Sequence, residues 1–358
     1  MKKRNITIAA VVAVVGAVAL IVALHGSRKA TFKQDFHIED TSTITRIFLA
    51  DKQDREVLLT RTGDSTWLVD NQYPANYPVV KLLLETLRDM RIRQMVNRNA
   101  VPNIIKDLAA KAIKVEVYQR KPWIDWFGGR VQLFFREKHT ATYFVGRETQ
   151  DMLGSYMYRE GDKAPCVIHI PGFRGFLTPR FVTDPLKWRS HTIVDLNVHE
   201  IERIELEIPA REEESFAIVR TAEGFDMELT ASHRRVPAFD TARVGQMLAS
   251  FTWLNFDEFA SIVPNTSADS NLTGAPRTIL RITDTSGTTH EVFTYVKYTN
   301  PDDLNLIDDP DMYETFDVNR LYAIIDRKDT VLIQYHVFDN ILQPASYFLG
   351  VDKNPAAQ

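Results

Sequence analysis

The hexapeptide Ile44-Thr-Arg-Ile-Phe-Leu49 returns as Ile201-Glu-Arg-Ile-Glu-Leu206, with Ile, Arg, Ile and Leu each displaced by 157 positions (201 minus 44). An echo at that distance constrains the fold, because whatever the first half of the chain builds the second half builds again. Further matches follow in order. Arg61-Thr62 returns as Arg220-Thr221, and Trp67, after the Gly63-Asp64 turn, returns as Phe225 after Glu223-Gly224. Leu87, Met90 and Ile92 return as Leu248, Phe251 and Trp253, and Phe176-Leu-Thr-Pro179 is echoed by Ile341-Leu-Gln-Pro344. The offset only grows, as small loop insertions would make it. Two related units are expected, 44–189 and 190–349, with Ser190–Ile208 closing one and opening the other.

Hydrophobic periodicity gives each unit the same plan. Ile44–Ala50 and Glu56–Arg61 read as a strand pair, and Thr66–Val69 as a third strand carrying Trp67. Asn76 is placed as an N-cap, before Val80, Leu83, Leu84, Leu87 and Met90 on one helical face. Ile113, Val115 and Val117 alternate with charges, and Val131, Leu133 and Phe135 alternate likewise, so both stretches are expected as half-buried strands. Thr142–Val145, Ser155–Tyr158 and Val167–Ile170 complete the first sheet, and Gly172–Arg189 reads as an irregular linker. The second unit has strands at Ile201–Ile208, Ser215–Arg220 and Phe225–Leu229. A helix starts near Asp240 with Val244, Met247, Leu248 and Phe251 on one face. A polar loop at Pro264–Pro276, a hairpin of Thr278–Ile282 with His290–Tyr298, and strands at Leu321–Ile325 and Val331–Tyr335 follow. The tail, 350–358, is expected to be loose.

The N-terminal region differs from the rest. Met1-Lys-Lys-Arg4 precedes nineteen uncharged residues, Ile6–Leu24, which as a helix would span about 28 Å, close to a bilayer core. The exit, Ala23-Leu-His-Gly-Ser27, lacks a small-x-small cleavage site, which favours an uncleaved transmembrane anchor in 1–30 over a secretory signal. A polar tether over 31–43 follows. Residues 5–24 are thus expected to contact membrane lipid, with the positive-inside bias placing the bulk of the chain outside. The fold class expected is α+β: a transmembrane helix, then two tandem units, each a mainly antiparallel sheet with one packed helix.

Charge and cysteine content exclude some classes. The net charge is −4, and residues 1–30 hold five bases and no acid, so the remainder is at −9, unlike a nucleic-acid binder. The single cysteine, Cys166, cannot form an internal disulfide or a zinc site and reads as a small buried hydrophobe. No G-x-S-x-G, H-E-x-x-H, G-x-G-x-x-G or Walker-type loop is present. His199-Glu200 lacks the second histidine of a zinc pair. The acidic run Asp302–Asp311 lacks EF-hand spacing and reads as a solvated loop rather than a calcium site. No catalytic residue, cofactor or metal site is therefore expected.

One stretch does suggest contact chemistry. Lys121-Pro-Trp-Ile-Asp-Trp-Phe-Gly-Gly-Arg130 lies between two strands, as a hairpin tip would. Trp123, Trp126 and Phe127, flanked by Lys121 and Arg130, suit a membrane interface or a protein contact. Packing of these rings back onto the sheet is the competing reading. Phe173–Phe181 has similar composition, but its echo near Ile341 points to packing.

The I-x-R-I strand, the Gly-Asp-x-x-Trp turn, the Leu-rich helix and the segment 189–206 together resemble the domain of unknown function 4340 family of bacterial envelope proteins. The resemblance covers most of 35–345 and rests on core and turn residues. It implies an anchored protein of the bacterial inner membrane with a periplasmic ectodomain, often encoded beside ABC-type transporter or gliding-type components. It carries no catalytic residues, and Trp123–Gly129 departs from its pattern. The expectation is a non-enzymatic scaffold or accessory subunit whose partner is a membrane protein, such as an ABC transporter component, and no nucleic acid. The alternative is an envelope glycan- or peptide-binding module with Trp123 and Trp126 as stacking platforms. A hydrolase with a dispersed site is a third.

Overall fold

The computed structural model of the protein describes residues 36–126, 131–262, 272, 274–298 and 316–349, with the backbone alone described at 125, 126, 131 and 262. The chain forms two compact units that divide between Trp188 and Arg189.

In the first unit the strands are β1 (Ile44–Ala50), β2 (Glu56–Arg61), β3 (Trp67–Val69), β4 (Tyr73–Pro74), β5 (Arg91–Met95), β6 (Ile113–Trp126), β7 (Val131–Glu148), β8 (Ser155–Arg159) and β9 (Cys166–His169). They form one sheet in the order β4-β3-β2-β1-β6-β7-β8-β9-β5, antiparallel at every pairing. Helix α1 (Tyr77–Asp89) buries Val80, Leu83, Leu84 and Leu87 against Ile44, Ile47 and Leu49 of β1. Each such fully buried side chain contributes about 1.5–3 kcal/mol. Helix α2 (Val101–Lys111) packs Ile104 and Leu108 on Phe144, Tyr156 and Tyr158. Those residues alternate along their strands with Tyr143, Val145 and Met157 of the α1 core, so the two helices cover opposite faces. A Cβ at Gly146 would meet Leu108 Cδ2 at 2.5 Å and the Tyr156 carbonyl oxygen at 3.0 Å, so glycine lets α2 lie close on β7.

The second unit has β10 (Thr192–Val194), β11 (Ile201–Glu207), β12 (Phe216–Thr221), β13 (Gly224–Leu229), β14 (Arg234–Val236), β15 (Leu254–Asn255), β16 (Glu258–Phe259), β17 (Thr278–Asp284), β18 (Thr289–Tyr298), β19 (Phe316–Ile325) and β20 (Asp329–Gln334). Its large sheet runs β14-β13-β12-β11-β17-β18-β19-β20-β16, the same order strand for strand as the first, while β10 and β15 pair separately. Helix α3 (Thr241–Ala249) buries Val244, Met247 and Leu248, and Phe251 just beyond it is buried too. Asp240 caps this helix through its side chain. Asn76 stands at the N-cap of α1 without a side-chain bond, and Pro78 in the first turn has no N–H to satisfy.

Three local devices recur in both sheets. The ladder slips between Ile44 and Arg46 on β1, and between Ile201 and Arg203 on β11. Arg61 donates to the Ser42 and Thr41 carbonyls at 2.6 and 3.2 Å and lies over Trp67 at 4.9 Å. Arg220 donates to the Ile201 carbonyl at 2.7 Å and to that of Val198, and lies over Phe225 at 4.8 Å. Finally, the helix N-cap receives the tail of its own unit. Asn76 N–H donates to Trp188 O at 2.7 Å, and Asp240 N–H to Phe348 O at 2.8 Å, with both aromatic side chains buried. The match of Trp253 with Ile92 is not structural, because Trp253 is exposed whereas Ile92 pairs in the sheet.

Several expectations need correcting. Among the described residues no helix is long and apolar enough to cross a membrane, so the fold class with a transmembrane helix, and the membrane and single-pass assignments with it, are not supported. The stretch 6–24 on which they rested lies outside the described residues, as do the tail 350–358, most of the loop Pro264–Pro276 and the acidic run Asp302–Asp311. There are three sheets rather than two, and the first unit packs two helices rather than one. Part of the tether is core: Phe36 and Ile38 are buried, and Ile38 N–H reaches the Leu87 carbonyl at 2.8 Å. The linker Gly172–Arg189 is also core, because Leu177, Phe181 and Trp188 are buried and Trp188 Nε1 donates to Val182 O at 3.0 Å.

Two measurements check these assignments. Trp188→Ala is expected to cost about 3–5 kcal/mol in chemical denaturation, as for a core aromatic, where a linker residue would cost almost nothing. Arg61→Met and Arg220→Met are each expected to cost about 1–3 kcal/mol, through lost charged hydrogen bonds and ring contact.

Candidate functional site

Strand β6 pairs with β1 only as far as Gln119 opposite Ile44, and β7 pairs with β8 only from Tyr143 onward. Beyond those points β6 and β7 pair with each other through to Trp126 opposite Val131. The seven residues Arg120–Trp126 therefore carry a two-stranded arm about 24 Å past its neighbours.

Side chains from three strands hold the arm at its root. Glu137 accepts from Thr45 Oγ1 at 2.6 Å and pairs with Arg46 at 3.0 Å. Arg46 also lies 4.2 Å over the Tyr118 ring. Gln119 Nε2 donates to Thr43 Oγ1 at 2.7 Å. A bulge between Val117 and Tyr118 leaves Thr140 over, and its hydroxyl donates to Val117 O at 3.2 Å. Burial opposes the Glu116 charge, but Lys114 and the Tyr118 hydroxyl outweigh it and hold the carboxyl below its usual range. The same bond to Glu116 raises the Tyr118 phenol.

Apolar side chains are exposed along the arm. Trp123 is 61% exposed, Phe134 67%, and Leu133 and Phe135 47% each. Trp123 and Phe134 meet edge to face at 6.3 Å, Arg136 lies 5.4 Å over Trp123, and Arg120 5.8 Å over Phe135. Lys138 Nζ donates to Pro122 O at 3.1 Å. These contacts stiffen the rings without covering them.

The residues singled out from sequence are only partly brought together. Trp123 is exposed on the arm rather than folded onto the sheet, and Lys121 is half-buried on its face. Trp126 ends β6, but its side chain, together with Phe127 and Arg130, lies outside the described residues. The stretch read as a hairpin tip is strand as far as Trp126. Leu133, Phe134, Phe135 and Arg136 were missed as contact residues. The alternation of Leu133 and Phe135 implied a half-buried strand, but β1 and β8 stop short, so nothing covers them.

Two clefts flank the root. One, of about 330 Å³, is lined by Gln119, Lys121, Thr140, Tyr143 and Arg159, and the other, of about 550 Å³, by Thr45, Arg61, Arg120 and Phe135. The Tyr143 hydroxyl is committed to Phe36 O at 2.7 Å, and burial pushes its pKa up to about 12. His139 shares a 2.9 Å hydrogen bond with Thr142, but that hydroxyl is buried and so is not placed to attack a substrate. Among the described residues no group of three His, Cys, Asp or Glu could hold a metal. Cys166 is buried, 3.4 Å from the Met95 sulfur, and burial raises its thiol pKa.

The architecture is that of an antiparallel-sheet protein of two like-ordered units, one of which extends a two-stranded arm. Within that class the chain belongs to the family described as Domain of unknown function (DUF4340), which matches residues 67–274, more than half of the chain and both strands of the arm. No curated protein and no solved structure matches it.

Trp123→Ala and Phe134→Ala are expected to change unfolding free energy by no more than about 0.5 kcal/mol, as exposed positions do. Tyr143 sets a pH dependence. Its folded pKa lies above the ordinary value near 10, so between those values the unfolded chain releases a proton that the folded chain keeps. That stabilisation is complete below about pH 10 and is lost as pH rises toward 12. Denaturation midpoints of Tyr143→Phe are expected to fall less than those of the unsubstituted protein between about pH 9 and about pH 11.5.

Proposed function

We propose that this protein is a non-enzymatic accessory or scaffold subunit of an envelope assembly, of the ABC-type transport or gliding kind, acting outside the cytoplasm. The arm of β6 and β7 is its contact with a partner protein. The observation that carries this reading is the exposure of Trp123, Leu133, Phe134 and Phe135 together on an element that leaves its sheet. Clustered exposed apolar side chains mark contact sites, and aromatics with arginine beside them form the usual energetic centres of interfaces. The stiffened rings lose little rotamer freedom on docking, which lowers the entropy cost of association. Membership of a family whose resemblance implies an envelope setting supports the location.

The test is a photo-crosslinking amino acid at position 123, with a control at exposed Lys52 on the β1–β2 turn of the same unit, in cells expressing the full chain. Enrichment of transport-assembly subunits from position 123, absent at position 52 and lost with Leu133→Ala/Phe134→Ala, is the expected result. Equal labelling at both positions, or none, would end the proposal.

A further inference from the structure

The two edges of the arm differ. On β6, Pro122 has no N–H to offer a further strand, and prolines on edges are a common block to pairing. Lys121, Pro122 and Ile124 are also half-buried. On β7 there is no proline between Val131 and Ala141, and every residue from Gln132 to Glu137 is exposed. Among the described residues no strand pairs with β7 over that stretch except β6. A long exposed edge of this kind is a template for another strand unless something covers it, and from Gln132 to Thr140 it departs from regular extended backbone at Phe134, with φ 58°, and at the Thr140 bulge.

Side chains on the two faces give that strand a pattern. Register places Lys121, Arg136 and Lys138 on the face that carries the Trp123–Phe134 contact. Pro122, Ile124, Leu133 and Phe135 share the other face. A surface pressed on one side would cover half of these, whereas an added strand sends alternate side chains to both. Charge selects the occupant. From Arg120 to Lys138 the chain has bases at 120, 121, 130, 136 and 138 and acids at 125 and 137, for a net +3 in a protein of net −4. The arm of a second copy would bring that positive charge against itself.

Resting on the contact role of the arm, we propose that the outer edge of β7, from Gln132 to Thr140, accepts an extended strand of a partner protein. Acidic residues of that strand lie at alternate positions beside Arg136 and Lys138, and its apolar residues lie beside Leu133 and Phe135.

The probes are three acetylated, amidated nonapeptides offered to the full-length protein: Val-Glu-Ile-Glu-Val-Glu-Ile-Glu-Val, its lysine counterpart, and a block-scrambled version of the first. The acidic alternating peptide is expected to bind at least about tenfold more tightly than the other two. It should slow amide exchange across Gln132–Thr140 and leave Arg120–Ile124 unchanged. Arg136→Glu/Lys138→Glu should reverse the preference toward the lysine peptide, a result that loss of folding cannot produce. Equal binding of the three, no binding, or protection confined to other residues would overturn the proposal. So would a concentration-dependent dimer that protects the same amides without peptide. A crosslinked partner with an unprotected β7 edge would remove only the strand-acceptor role. Peptide protection with no crosslinked partner would remove only the assembly role.

Discussion

At Ile44 the pairing of β1 with β6 ends, and the geometry of the first unit follows from what replaces it. Up to that point β6 lies between two strands and contributes Val115 and Val117 to the core. Past it, β6 has β7 alone, and the two would fray if the root were free, since an isolated hairpin is marginal in water. The Glu137–Arg46–Thr45 contacts and the Gln119–Thr43 bond anchor the root to strand β1 and the turn before it. A polar cluster across one ladder thus decides whether the β6–β7 hairpin stands out as one rigid element.

The same economy of means appears in how each unit closes. In both, an arginine grips the carbonyls leading into the neighbouring strand, β1 or β11, and stacks on an aromatic ring. In both, the last aromatic side chain is buried while its carbonyl meets the N-cap of the packed helix. These are single-residue contacts between segments far apart in sequence. They make the helix, the tail and strand β1 or β11 of a unit depend on one another for stability.

Much of the fold was legible because burial follows period. The faces Val80–Met90 and Val244–Phe251, and the strands around Ile44 and Ile201, are where alternation or helical spacing placed them. Helix α2 was missed because it buries only Ile104 and Leu108 and begins at Ala100, which offers no capping side chain. The stretch 172–188 was misread as a linker because proline and irregular backbone conceal burial that comes from position rather than pattern. Trp123 was found from its neighbours in sequence. Leu133, Phe134 and Phe135 were not, because alternation reports what a strand could bury and carries no word of where adjoining strands stop.

Pro122 has a consequence for valency. A ribbon with both edges open is a repeating subunit, since each strand it recruits presents a new edge and growth continues on either side. With Pro122 on β6, one side is closed to propagation. Such a ribbon behaves as a chain end rather than a link, and stoichiometric assembly becomes possible where filament growth would otherwise compete.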